Sequence, residues 1–140
     1  MAANGPILIV DDDFEDLELA REIIQEIGLS NKVYTFHECE QALTYLMNNL
    51  NEQPFIILSD VNLPRMNGIE FKKKIDETPA LRQKSIPFVY YTTSGDKTIV
   101  TKVYELTVQG FFVKPTKIEE MRESFRLIFE YWKKSRHPNS

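Results

Sequence analysis

Five side chains in this chain have the types and spacing to do chemistry together: Asp11, Asp12, Asp60, Thr92 and Lys114. Each stands at or just beyond the end of a short apolar run. Ile7-Leu8-Ile9-Val10 leads into Asp11 and Asp12, Phe55-Ile56-Ile57-Leu58 into Asp60, Phe88-Val89-Tyr90-Tyr91 into Thr92, and Phe111-Phe112-Val113 into Lys114. A carboxylate that ends a buried strand is a candidate nucleophile or metal ligand. Three such groups in one cleft repel one another unless protons or a cation intervene. A hard divalent ion, Mg2+ or Mn2+, is the natural remedy, because it favours oxygen ligands. With a metal on Asp12 and Asp60, the remaining oxygen of Asp60 can attack a phosphoryl group. Lys114 supplies a compact positive charge, and Thr92 a hydroxyl for a phosphoryl oxygen. Phosphoryl transfer needs chiefly alignment and charge neutralisation, so this set suffices.

These residues meet only if the elements beneath them bring the run ends to one edge. Short apolar runs bounded by turn residues read as buried strands over 7–10, 33–36, 55–58, 87–91 and 111–113. Between them, apolar residues recur at helical spacing: Leu17, Ala20, Ile24 and Ile27; Leu43, Leu46, Met47 and Leu50; Phe71 and Ile75; Ile99, Val103 and Leu106; and Ile118, Met121, Phe125, Ile128 and Trp132. Asp13 is placed to cap the first helix and Gly28 to end it. Residues 78–85 read as a polar loop, and 135–140 as a short disordered tail beyond a core of 6–134. Five strands alternating with five helices predict an α/β fold, a doubly wound five-stranded parallel sheet of the flavodoxin-like (βα)5 kind with strand order 2-1-3-4-5. That order sets the ends of the first and third strands side by side, with the fourth and fifth next to them. Ligands bind at this carboxyl edge in open α/β sheets.

Composition narrows the function classes. A chain of 140 residues, 42% apolar and 27% charged, predicts a single globular domain over 1–140. Its net charge of −4 argues against nucleic acid as the main partner. No apolar run approaches a membrane span and the first residues lack a signal pattern, so no membrane partner and a cytoplasmic location are expected. The single cysteine, Cys39, fits a reducing compartment and reads as a part-buried residue near a helix start.

In their order and placement, these motifs resemble the response-regulator receiver domains, also called CheY-like. The matching stretches are Val10-Asp11-Asp12, Ser59-Asp60, Asn62-Leu63-Pro64-Arg65-Met66-Asn67-Gly68, Tyr91-Thr92-Thr93 and Val113-Lys114-Pro115. The resemblance implies a single-domain response regulator of a two-component phosphorelay. It would accept a phosphoryl group on Asp60 from a sensor histidine kinase or phosphotransfer protein, and catalyse only its own phosphorylation and slow dephosphorylation. By the same resemblance Asp12 binds Mg2+ directly, Asp11 through water, and Asn62 through its backbone carbonyl. Thr92 and Lys114 contact the phosphoryl group. Phe111 is the switch aromatic, and the Lys114–Pro115 bond is cis. The output face is made by the fourth helix, fifth strand and fifth helix, and a homodimer through it is left open. The stretch 60–68 and the threonine pair look similar to regulators paired with bacterial phytochrome-type kinases.

Two other functions compete. A haloacid-dehalogenase-like Mg2+-dependent phosphatase would use an Asp-x-Asp pattern after the first strand, which residues 11–13 superficially offer. A phosphorylation-independent pseudo-receiver would be a constitutive interaction domain. Asp13 and Asp16 read as helix-capping charges, Lys72-Lys73-Lys74 as a solvated helix face, and His37 as exposed. The chain departs from the family pattern at Thr107-Val108, where Gly-Ala is common, at Thr93, where a smaller residue is common, and at Phe111, which lacks a polar tip.

Overall fold

The apolar runs form five strands: β1 (Ile7–Val10), β2 (Val33–Phe36), β3 (Ile56–Ser59), β4 (Phe88–Thr92) and β5 (Gly110–Val113). In the computed structural model, which describes residues 2–93 and 95–136, all pair in parallel in the order β2-β1-β3-β4-β5. Strands β1 and β3 are buried along their whole length. Their uninterrupted apolar sequence is what a strand covered on both faces requires.

Six helices flank the sheet: α1 (Phe14–Ile27), α2 (Cys39–Asn48), α3 (Gly68–Glu77), α4 (Pro79–Arg82), α5 (Lys97–Tyr104) and α6 (Ile118–Lys134). Alternate strand residues feed two cores. Ile7, Ile9, Ile56, Leu58, Val89 and Tyr91 pack with α1 and α6. Leu8, Val10, Ile57, Phe88 and Tyr90 pack with α2, α3, α4 and α5. The period-two alternation of the strands thereby decides which helix covers which face.

Capping fixes where the helices begin. The Asp13 side chain accepts from the amides of Glu15 and Asp16 and starts α1 directly after the Asp11-Asp12 pair. Gly28 ends α1 at φ 88°, a left-handed conformation that glycine adopts without a Cβ penalty. Asn67 and Glu70 form a reciprocal capping box at the start of α3.

Three expectations need correction. Residues 78–85 are not all loop: Pro79 sits in the first turn of α4, and Leu81 anchors that turn in the core. A single turn of four residues is too short to show a periodicity. Lys72 is buried rather than solvated. Its Nζ donates to Asp76 Oδ1 at 2.8 Å and lies 5.6 Å from the Phe88 ring centroid. Successive helical residues are about 100° apart, so the three lysines span about 200° of α3, and Lys72, next to buried Phe71 and one turn before buried Ile75, falls at the covered edge. The Lys114–Pro115 bond, expected cis, is trans, and no peptide bond among the described residues is cis. Trans is the favoured isomer of an X–Pro bond by about 0.5–1 kcal/mol. The expected tail falls largely outside the described residues.

Candidate functional site

Parallel register places the strand ends level. The Asp60 amide donates to the Val10 carbonyl at 2.9 Å, and the Lys114 amide to the Thr92 carbonyl at 2.7 Å. Thr92 is paired with Val113, one residue before Lys114. Backbone hydrogen bonds within the sheet therefore set where the acids, the hydroxyl and the lysine emerge, and the side chains complete the site.

Asp11, Asp12 and Asp60 each present a carboxylate oxygen within 4.8 Å of the others. Asp11 and Asp60 are buried, and Asp12 faces solvent. Asp60 Oδ1 accepts from the amides of Val61, at 2.7 Å, and Asn62, at 3.3 Å. Its Oδ2 faces the Lys114 ammonium at 3.5 Å. Asp11 Oδ1 accepts from the Asp13 amide at 3.0 Å, while its Oδ2 bonds Lys114 Nζ. Lys114 Nζ also donates to Asp16 Oδ2 at 2.9 Å.

Charge is unbalanced here. Asp11, Asp16 and Asp60 contact one ammonium, and Asp12 adds a fourth carboxylate beside Asp11 and Asp60. Burial, reinforced by Asp60 and only partly relieved by Lys114 and the Asp13 amide, pushes the Asp11 carboxyl up to about 6. Burial alone would make Lys114 easier to deprotonate. The hydrogen bonds to Asp11 and Asp16 outweigh burial and hold it charged beyond the ordinary lysine range. Burial thus decides the direction at Asp11, and the carboxylate partners decide it at Lys114. A cleft of oxygen donors with excess negative charge and one exposed carboxylate fits a hard divalent cation.

The loop from β3 to α3 closes against this site. A Cβ on Gly68 would lie 2.2 Å from the Asp60 carbonyl oxygen, 2.9 Å from Val61 Cα and 3.0 Å from the Tyr90 ring. Only glycine allows that approach. The Gly68 amide donates to the Val61 carbonyl at 2.8 Å, and the Tyr90 hydroxyl donates to the Gly68 carbonyl at 2.5 Å.

Asp11, Asp12, Asp60 and Lys114 thus converge as expected, with buried Thr92 ending the adjacent strand. The Asn62 amide reaches Asp60. Phe111 is half-buried on β5 and packs against the second core, its ring centroid 6.2 Å from that of Tyr90. Asp13 spends its carboxylate on capping α1, which leaves the Asp-x-Asp reading of residues 11–13 without its second acid. Asp16 was read as a capping charge and is instead a partner of Lys114. The signal was its place at the third position of a helix starting at the strand ends, where side chains lean back over the helix N-terminus. His37 is half-buried and lies against Phe14, their ring centroids 4.9 Å apart. Cys39 is fully buried at the first residue of α2, and burial pushes its thiol up to about 12.

Comparison with known proteins agrees with this geometry. Residues 7–126 match the response regulator receiver domain family. The chain is 28% identical over 136 residues to the response regulator Rcp1 of Synechocystis, covering 93% of this chain and 91% of that protein. It is 28% identical over 130 residues to a probable chemotaxis protein CheY of Rhizobium etli, covering 92% and 95% respectively. The crystal structure of the phosphorylated cyanobacterial phytochrome response regulator RcpA superposes with a TM-score of 0.86 at 26% identity, over 96% of this chain and 99% of that one. A match that takes in the whole sheet and most of its helices settles the family: the chain belongs to the response regulator receiver domains, the phosphoacceptor signalling domains of two-component systems.

Proposed function

We propose that the protein is a phosphorylation-controlled switch whose acceptor is Asp60, charged by the phosphohistidine of a sensor histidine kinase or phosphotransfer protein. The observation that carries this reading is the Asp60 carboxylate itself. One oxygen is fixed by two backbone amides, and the other faces Lys114 at the open edge of the sheet. Asp60 Oδ2 forms the new P–O bond. The P–N bond of the donor breaks, and its electron pair stays on the leaving imidazole. Lys114 follows the negative charge that develops on the transferred group. The Thr92 hydroxyl bonds one of its oxygens.

Asp12 and Asp60 directly, Asp11 through water and the Asn62 carbonyl would hold Mg2+ or Mn2+. Bound there, the ion neutralises the acidic cluster and the oxygens of the transferred group. The acid surplus around one ammonium supports this assignment, since it leaves the pocket short of positive charge.

Phosphorylation adds close to two negative charges and strong acceptor oxygens beside Thr92. Drawing the Thr92 hydroxyl toward them makes room for Phe111 to pack further in, reshaping the face of α5, β5 and α6. That face is already rich in exposed apolar groups: Tyr104 on α5, Val113 on β5, and Leu127 and Tyr131 on α6. It is the surface for a downstream protein or a second copy of the chain. A phytochrome-type kinase is the favoured donor, by likeness to the phytochrome response regulators. No described helix is long and apolar enough to cross a membrane, in keeping with a cytoplasmic partner.

Incubation with acetyl phosphate and Mg2+ tests the assignment. The intact mass should gain one phosphoryl group, the gain should vanish with EDTA, and Asp60→Asn should abolish it. Labelling that survives Asp60→Asn refutes the acceptor. No labelling of the wild-type chain by any donor would make it a pseudo-receiver.

A further inference from the structure

Lys114 is the group that must accompany a phosphoryl group on Asp60, yet Asp60 is the most distant of its three carboxylate partners. Its Nζ bonds Asp11, donates to Asp16 Oδ2 at 2.9 Å, and reaches Asp60 Oδ2 only at 3.5 Å, the outer limit of a hydrogen bond. The ammonium is turned toward α1 and away from the acceptor. Asp16 is one third exposed and Lys114 is nearly buried. Asp16 also sits in the first turn of α1, where the helix dipole favours an anion.

Behind this pair lies a small cavity of about 20 Å³ bounded by Asp11, Asp16, Tyr91 and Lys114. The Tyr91 hydroxyl is buried and has no hydrogen-bond partner in the protein. The neighbouring Ser124 hydroxyl donates to the Glu120 carbonyl at 3.0 Å instead. A buried hydroxyl left unpaired is costly, and the cavity, apolar on its other sides, has room for one water molecule at the end where Asp11, Asp16, Tyr91 and Lys114 meet. Burial pushes the Tyr91 hydroxyl up to about 12, against the lowering effect of the nearby Ser124 hydroxyl and of Lys114, while Asp16 adds a smaller rise.

We propose that Asp16 is a positioning residue that parks Lys114 away from Asp60, with one water molecule held between the Tyr91 hydroxyl and the Asp16–Lys114 pair to complete the hold. Loading of Asp60 then has to draw Lys114 off Asp16, so Asp16 lowers the affinity of the pocket for a phosphoryl group. The inference rests on Asp60 being the acceptor.

The test measures beryllofluoride binding to the full chain in the presence of Mg2+, by fluorine NMR of the bound aspartyl adduct. Wild type, Asp16→Asn, Asp16→Glu, Tyr91→Phe and Asp60→Asn are compared. Freed from a competing, partly exposed carboxylate, Asp16→Asn should bind about three-fold more tightly. Asp16→Glu, which restores an acceptor for Lys114, should return affinity to the wild-type value, a rescue that a general effect on α1 would not produce. Tyr91→Phe should fall between wild type and Asp16→Asn. Unchanged or weaker binding by Asp16→Asn, or equal tightening by Asp16→Glu, overturns the parking role. Tyr91→Phe binding as wild type does overturns the part given to the water. Failure of the wild type to bind in an Asp60-dependent way takes down the acceptor reading along with this one. Normal wild-type binding with an indifferent Asp16→Asn sinks this inference alone.

Discussion

Replacing Asp11 by asparagine should make the metal-free protein more stable at neutral pH, although Asp11 lies in the functional cluster and bonds Lys114. The carboxyl is held at about 6 against its ordinary 3.8. A folded-state value above the unfolded one means that the native protein binds the proton more tightly. The stability this brings is fully present below about 3.8 and is lost as pH rises through about 6. At about 1.36 kcal/mol per decade of acidity, the ionised group costs the native state about 3 kcal/mol at pH 7. Asparagine is uncharged but keeps one acceptor oxygen where the carboxylate uses two, so it serves either the Asp13 amide or Lys114 and forfeits about 1 kcal/mol of hydrogen bonding at the other. The net gain for Asp11→Asn is therefore on the order of 1–2 kcal/mol at pH 7 in EDTA, turning into a small loss by about pH 4. Urea denaturation of both proteins across this range, read as the difference between them, cancels the other carboxylates. Added Mg2+ should narrow the gap, because binding to the native state stabilises the wild type more. A variant less stable than wild type at pH 7, or a difference that ignores pH, would refute the reasoning that burial in an acid-rich cleft dominates Asp11.

Other substitutions probe the supports of the site. Gly68→Ala forces a Cβ to within 2.2 Å of the Asp60 carbonyl; it should cost roughly 2–4 kcal/mol in urea denaturation and slow labelling by acetyl phosphate. Tyr90→Phe removes the hydrogen bond to the Gly68 carbonyl and should cost about 1–2 kcal/mol, measured in the same way. Lys72→Ala leaves Asp76 unpaired and strips the stem packed near Phe88; a loss of about 1–3 kcal/mol is expected from thermal or urea unfolding, where a solvated lysine would give almost none. Sedimentation with beryllofluoride and Mg2+ should show self-association through α5, β5 and α6 that Leu127→Arg abolishes, whereas an unchanged monomer would assign the face to a different partner.

The fold was legible because the strands of a doubly covered sheet are short, apolar and punctuated. Ile7-Leu8-Ile9-Val10 and Ile56-Ile57-Leu58 admit few other readings. Strand order came with the flavodoxin-like class that alternating strands and helices imply, and the meeting place of the charged residues was deduced from it. The meeting of Asp11, Asp12, Asp60 and Lys114 was legible for the same reason, since each closes a strand whose neighbour is fixed by that order. What the sequence hid depends on side-chain direction. Lys72 follows buried Phe71 and is drawn under with it, a fact that a run of three lysines conceals. Phe129, fully buried on α6, fell outside the spacing traced through Phe125, Ile128 and Trp132. Asp16 looked like one more acid in a first turn, and only the three-dimensional approach of Lys114, 98 residues away, gives it a partner.

The acid surplus that strains the free protein is also what the proposed chemistry uses. A pocket with balanced charge would be more stable and would bind a divalent cation poorly. One with a second lysine would favour the phosphoryl group without any cation. Placing Asp11, Asp16 and Asp60 around a single ammonium, with Asp12 beside them, leaves a deficit that a cation relieves, and it leaves Lys114 with more acceptors than it can serve equally well. Such an ammonium is easily redirected, because moving it exchanges one carboxylate for another and does not strip it of its partners. On the proposed mechanism, negative charge added at Asp60 would draw the Lys114 ammonium toward it, next to the end of β4, where the Lys114 amide bonds the Thr92 carbonyl. Stability given up at the strand ends is thus what makes this edge of the sheet responsive to a single transferred group.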